Sequence, residues 1–280
     1  MPSSSNHSTG GVPQLALNLS LLWKELPVRE RLRRATAAGF RAVEFWWPFT
    51  SAVPSPQDID EFADSIIDSG LSLVGLNLFA GDMPAGDRGV LSWPGREAEL
   101  FASAEIARTL GVRLGTRRFN ALYGNRLPDR FTPEHQDKVA SENVRKLARL
   151  FSSIGATVMI EPVSGAPAYP LKTAQDVTDF IESARCDAPD AGILLDLYHL
   201  ATNGDDVEAA IATHAKSAAH VQVADAPGRG IPGSGELPLA GWVQQLRRAG
   251  YRGIVALEFV GSTEDDPFEH FDNHSWENLA

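Results

Sequence analysis

The stretch RAVEFWWPFTSAVPSPQDIDEFADSIIDSGLSLVGLNLF, residues 41–79, holds two short apolar runs, RAVEF (41–45) and LSLVGLNLF (71–79). Between them SPQDIDEFADSIIDSG carries apolar residues at helical spacing, behind a Pro suited to a first helical turn and ahead of Gly70 as a stop. Strand, helix, strand in that order is the unit from which parallel sheets are built.

Outward from this unit the alternation continues in both directions. LALNLS (15–20) precedes it, and RRFNALYG (117–124), ATVMIE (156–161), GILLD (192–196), AHVQVAD (219–225) and GIVALEF (253–259) follow. Helical spacing lies between the runs: PVRERLRRATAAGF stops at Gly39, PGREAELFASAEIARTLG at Gly111, TPEHQDKVASENVRKLARLFSSIG at Gly155 and LAGWVQQLRRAG at Gly250. Eight such units without a Pro/Gly/Ser-rich linker predict an α/β chain forming a single closed (β/α)8 barrel, and 280 residues fit a barrel of roughly 250. The predicted barrel domain spans residues 13–280, and MPSSSNHSTGG, poor in apolar residues, predicts a disordered tail over residues 1–12. An open dinucleotide-binding sheet would need G-x-G-x-x-G after its first strand, which is missing. GRGIPGSGEL (228–237) is glycine-rich without that spacing and reads as a mobile active-site loop.

Charge and cysteine content narrow the function classes. Twenty-five Lys and Arg against 36 Asp and Glu leave −11, a balance that repels nucleic-acid phosphates and anionic lipid. Cys186 is alone, which excludes an intrachain disulfide, and neither a secretory leader nor an apolar span is visible. A cytoplasmic protein that acts on small molecules is the expectation, and a homo-oligomer is compatible with it.

In such a barrel the C-terminal strand ends converge on one mouth. Glu161 closes ATVMIE, Asp196 closes GILLD, Gln222 lies in AHVQVAD and Glu258 ends GIVALE. Each carboxylate alone has ordinary uses, capping a helix or pairing with an Arg. Three gathered at one mouth would repel, and a bound cation is the simplest compensation. Oxygen donors without a thiolate suit Mg2+ or Mn2+. His199, in DLYH, could reach the cation or a substrate oxygen, and Arg229, in QVADAPGR, is a candidate clamp for a carboxylate. Trp46, Trp47 and Trp93 suit either the mouth, a subunit contact or core packing.

LNLSLLWKELPVRERLRRATAAGFRAVEFWWPF and LSLVGLNLFAGDMPAGDRGVLSWPGRE, followed by IEP, LLDLYH, HVQVADAPGR, GE and LEF, resemble the hydroxypyruvate isomerase family of xylose-isomerase-like barrels over residues 15 to 260. The resemblance implies a divalent cation held at Glu161, Asp196, Gln222 and Glu258, with both glutamates handling protons and His199 and Arg229 on the substrate side. EPVSGAPAYPL replaces a longer Asn- and Asp-containing loop, Gly230 stands where a His is common, and VRLGTRRFNALYGN around the fourth strand is longer than the family pattern.

The implied reaction moves a proton from the carbon beside a carbonyl to its neighbour through an enediolate, interconverting hydroxypyruvate and tartronate semialdehyde. A 2-oxo-tetronate isomerase or a ketose 3-epimerase would use the same cation and glutamates with another pocket lining. An abasic-site endonuclease would need several His ligands and a basic surface. A small-molecule-binding barrel without catalysis would not need two proton-handling carboxylates.

Overall fold

Every one of the eight apolar runs forms a strand in the computed structural model, which describes residues 15–184, 191–261 and 267–268. The order is β1 (Leu15–Asn18), α1 (Val28–Ala37), β2 (Ala42–Phe45), α2 (Pro56–Ser69), β3 (Ser72–Asn77), α3 (Glu97–Leu114), β4 (Arg118–Asn120) and α4 (Pro133–Ser152). It continues with β5 (Thr157–Ile160), α5 (Ala174–Ala184), β6 (Ala191–Asp196), α6 (Leu197–Asn203), α7 (Val207–His214), β7 (His220–Val223), α8 (Leu239–Arg248) and β8 (Val255–Leu257). All strand pairs are parallel, and β8 returns to β1 through Leu15↔Val255 and Leu17↔Leu257, so the barrel is closed. The predicted tail at residues 1–12 and Cys186 lie outside the described residues. Among the described residues no helix is long and apolar enough to cross a membrane.

Strand alternation divides the sheet into two faces. Leu17, Val43, Val221, Val223, Val255 and Leu257 join the main core between sheet and helices. The residues between them in sequence point into the barrel, where Ala16, Ala42, Ile254 and Ala256, with Val74 against them, form a separate apolar cluster. Above that floor the same face turns polar: Asn18, Glu44, Asn120, Gln222 and Glu258 are all buried. Small side chains in the floor leave room for this polar layer to cross the lumen.

Local chemistry sets the helix ends. Ser55 and Asp58 form a reciprocal capping box ahead of α2, with Pro56 in the first turn, and Thr132 caps α4 through the His135 amide. Gly111 differs from its predicted role as a stop. α3 runs through it to Leu114 and ends at Gly115, whose φ of 79° is left-handed, so the extra length ahead of the fourth strand is one more helical turn. Gly111 is there for packing: a Cβ would sit 2.7 Å from Phe119 Cζ and 3.0 Å from the Thr116 carbonyl oxygen.

The loop after β7 also departs from the mobile segment that its glycines predict. The buried Asp225 carboxylate accepts amide hydrogens from Ala226, Gly233 and Leu237, which ties down both ends of the excursion.

Helix propensity alone favours Gly111→Ala by about 1 kcal/mol. The added methyl meets a ring stacked on Phe151 at 4.3 Å between centroids and a fixed backbone oxygen, so overpacking of about 1–3 kcal/mol should dominate. Urea denaturation is expected to give a less stable protein; a more stable one would mean that α3 shifts freely off β4.

Candidate active site

Glu161 follows β5, Asp196 ends β6, Gln222 lies in β7 and Glu258 follows β8, and all four are buried at the C-terminal end of the barrel. Asp196 and Gln222 are direct register partners. The sequence-predicted residues are therefore brought to one mouth, although not into one uniform cluster.

Among the described residues, Glu161, Asp196 and His199 each offer a potential ligand atom, and these atoms lie within 4.8 Å of one another. Glu258 is held by other partners. Its Oε1 accepts from Asn18 Nδ2 at 3.0 Å and from the Trp46 indole at 2.5 Å, while Oε2 accepts from Arg229 Nη2 at 2.5 Å. Arg229 Nη2 also reaches Asp196 Oδ2 at 3.3 Å, and Nε donates to the Glu258 carbonyl at 3.1 Å. Nη1 makes no hydrogen bond among the described residues. Arg229 adopts φ 57°, a left-handed conformation that costs a non-glycine residue about 1–3 kcal/mol. The Asp225-tied loop and the bond from the Val260 amide to the Arg229 carbonyl hold it there.

His199 is positioned by α6. The Asp196 carboxylate caps that helix through the His199 amide at 3.0 Å, and the ring Nδ1 accepts from the Ser164 amide at 3.0 Å. A backbone N–H can only donate, so the neutral ring carries its proton on Nε2, which lies 3.6 Å from Asp196 Oδ2. That tautomer makes His199 a donor toward an oxygen in the mouth, not a lone-pair ligand. Ser164 belongs to EPVSGAPAYPL, the shortened loop, which folds back through a Val163 to Leu171 backbone bond.

Burial and crowding set the electrostatics. Burial pushes Glu161 well above the usual carboxylate range, reinforced by the charges of Glu258 and Asp196 and opposed by the 2.7 Å bond from Asn120. Burial likewise pushes Glu258 up to about 8, against the pull of Arg229. His199 is pushed down to about 4 by burial, with Asp196 opposing. Burial works against the Arg229 charge, but Glu258, Asp196 and Glu161 together hold its pKa above the ordinary value.

The donor set fits a divalent cation on two observations. Ionised, the three carboxylates of Glu161, Asp196 and Glu258 outnumber the one Arg229 guanidinium by two charges, the deficit that such an ion fills. Gln222 Oε1 and Asn120 Oδ1 are buried acceptors without a hydrogen-bond partner among the described residues, and hard oxygen donors are what Mg2+ and Mn2+ take. Asn18, Trp46, Asn120 and Ser164 take part in the site without having been singled out for it from sequence, apart from Trp46 as one option for the mouth. Asn18 could have been found as the polar residue ending the otherwise apolar strand LALN, whereas Asn120 ends the strand RFN, whose Arg118 hides that signal. Trp47 and Trp93 are packing residues: Trp47 lies edge-on to Phe49, and the buried Trp93 donates to the Asn125 carbonyl.

Residues 32–276 match the model of the xylose isomerase-like TIM barrel family. The chain belongs to that family. A Streptomyces coelicolor protein with a provisional hydroxypyruvate isomerase name is 43% identical over 90% of this chain and 91% of its own length. The Escherichia coli hydroxypyruvate isomerase is 29% identical over 89% of this chain and 94% of its own. Among solved structures, an AP endonuclease, family 2, from Brucella melitensis superposes with a TM-score of 0.80 at 31% identity, covering 90% of this chain and 96% of that one. The curated relatives are isomerases, and so is this protein. Among the described residues one histidine, His199, lies with Glu161 and Asp196 at the mouth, and its proton on Nε2 makes it a donor there, unlike the several histidine ligands that an endonuclease zinc cluster would need.

A carboxylate whose folded pKa is raised adds stability at low pH and loses it as pH rises through the folded value. For Glu258 that loss runs from about pH 4.5, the ordinary value, to about pH 8, where it is complete, and Glu161 acts in the same direction. His199 works at the acid end, where a depressed folded value costs stability as pH falls from about 6.5 toward 4. The melting temperature of metal-free protein is therefore expected to fall between about pH 6.5 and pH 8, with a flatter profile in Glu258→Gln. An equal slope in both proteins would show that Glu258 is not strained by its surroundings.

Proposed function

We propose that this isomerase interconverts hydroxypyruvate and tartronate semialdehyde in the cytoplasm by proton transfer between Glu161 and Glu258, with Mg2+ or Mn2+ bound. The observation that carries the reading is the pair of buried glutamates, on two sides of one mouth, whose different partners separate their roles. Glu161, Asp196, Gln222 and Glu258 would hold the cation. Bound there, it supplies electrostatic stabilisation to the two oxygens that become an enediolate.

Three donors, from Asn18, Trp46 and Arg229, favour the charged form of Glu258, which suits it to remove the C3 proton of hydroxypyruvate. Glu161 has one side-chain donor, Asn120, and an environment that favours its protonated form, which suits it to deliver a proton to C2. In the reverse direction the two exchange roles. Nη1 of Arg229, which makes no hydrogen bond among the described residues, would receive the substrate carboxylate, and His199 Nε2–H would donate to a substrate oxygen. The clamp is thus shared: the same guanidinium steadies Glu258 and receives the anionic end of the substrate, which favours a 2-oxo acid over an uncharged ketose.

Chelation is expected to abolish turnover, and added Mg2+ or Mn2+ to restore it; full activity of rigorously metal-free protein would overturn the cation requirement. In D2O the product should carry solvent deuterium on the carbon that receives the proton. Glu161→Gln and Glu258→Gln should each lower kcat by about 10²–10⁴-fold at matched metal occupancy. A product without deuterium at normal turnover would replace proton transfer by a hydride shift. A panel of hydroxypyruvate, 2-oxo-tetronate and free ketoses tests the substrate. Higher kcat/KM on 2-oxo-tetronate or on a ketose would reassign it.

A further inference from the structure

Across the barrel from β7, the β2 residue Glu44 is buried with both carboxylate oxygens committed. Oε1 lies 2.8 Å from His220 Nε2 and Oε2 accepts from Gln222 Nε2 at 2.8 Å. His220 and Gln222 are two residues apart on β7 and share its inner face, so one carboxylate spans two successive positions of that strand. We infer that Glu44 is a positioning residue that fixes which end of the Gln222 amide faces the mouth.

The reason lies in the inventory of donors and acceptors. A glutamine amide has a donor end and an acceptor end of nearly the same shape, and a half-turn about its last bond exchanges them at little steric cost. A carboxylate only accepts. Beside Glu44 the flipped amide would set oxygen against oxygen, so the NH2 end must turn to β2 and the carbonyl end must turn away. His220 holds the other carboxylate oxygen and thereby fixes the rotamer of Glu44 itself. On the β3 side the register neighbour is Gly75, which offers no side chain to compete for these oxygens.

The outcome is visible at the far end of the amide. Gln222 Oε1 is buried and accepts no hydrogen bond among the described residues, in a strand position directly paired with Asp196. An amide oxygen kept free in a buried polar site, with its nitrogen tied down elsewhere, is an acceptor prepared for a cation. Glu44 neither belongs to the carboxylate group at the mouth nor touches the reacting atoms; it acts through Gln222.

This inference rests on the cation-dependent reading above, and the experiment separates the two. Metal-free full-length protein is titrated with Mn2+ without substrate, and free Mn2+ is followed by electron paramagnetic resonance. The four proteins are the wild type, Glu44→Ala, Gln222→Ala and the double variant, with thermal melts of each before metal is added. Wild-type protein is expected to bind one Mn2+, and Glu44→Ala to bind it about 10- to 100-fold more weakly. In the Gln222→Ala background the same Glu44 change should cost less than about threefold, because the amide through which it acts is gone. Should Glu44→Ala fail to fold, the isosteric Glu44→Gln completes the same cycle with a smaller expected loss. Equal losses in both backgrounds, or none in either, would overturn the positioning role while leaving the cation site intact. A wild-type protein that binds no Mn2+ would overturn both.

Discussion

Like charge gathered in a dry place is the constraint around which this molecule is organised. Glu161, Asp196 and Glu258 are each almost fully buried at one end of a barrel, where water cannot spread their charge. A carboxylate in such a position must find a donor, a counter-charge or a proton. Each of the three options is in use: amide and indole donors reach Glu161 and Glu258, Arg229 lies between Glu258 and Asp196, and the raised pKa values of the two glutamates express the remainder.

The same strain underlies the chemistry proposed for the site. A carboxylate in its ordinary range is a poor general acid at neutral pH, whereas burial raises Glu258 to about 8 and pushes Glu161 in the same direction, which supports the proton transfer proposed for them. Differences in donors then separate two residues that are chemically identical. The supporting structure is correspondingly rigid: Asp225 ties the loop that carries Arg229, Ser164 sets the tautomer of His199, and Tyr169 donates to the Glu161 carbonyl while accepting from the Tyr123 amide. None of these three touches the proposed reacting atoms, yet each restricts a group that does.

Architecture supplies the stage through a simple division of labour. One face of every strand belongs to the helices and is apolar throughout, while the inner face is an alanine-rich floor below and a polar layer above. The short side chains of Ala16, Ala42 and Ala256 leave the lumen open enough for Glu44 to meet Gln222 from the opposite wall.

Strand and helix were legible in the sequence because periodicity and punctuation are local: eight apolar runs, amphipathic spacers and terminal glycines or prolines identify a (β/α)8 barrel without any knowledge of contacts. Glu161, Asp196, Gln222 and Glu258 were legible for a related reason, since polar residues at the ends of apolar strands must converge in that fold. Contacts between distant residues were not. Glu44 in RAVEF reads as one more strand residue, and only closure of the barrel sets it beside Gln222, 178 positions away. Gly111 reads as a helix stop until Phe119 is packed against it, and the glycine-rich loop reads as mobile until the buried Asp225 is given its amide partners. Local spacing determines which segments fold and which ends meet, whereas the partner of each buried polar atom depends on strands brought together from opposite sides of the barrel, and no single segment encodes that.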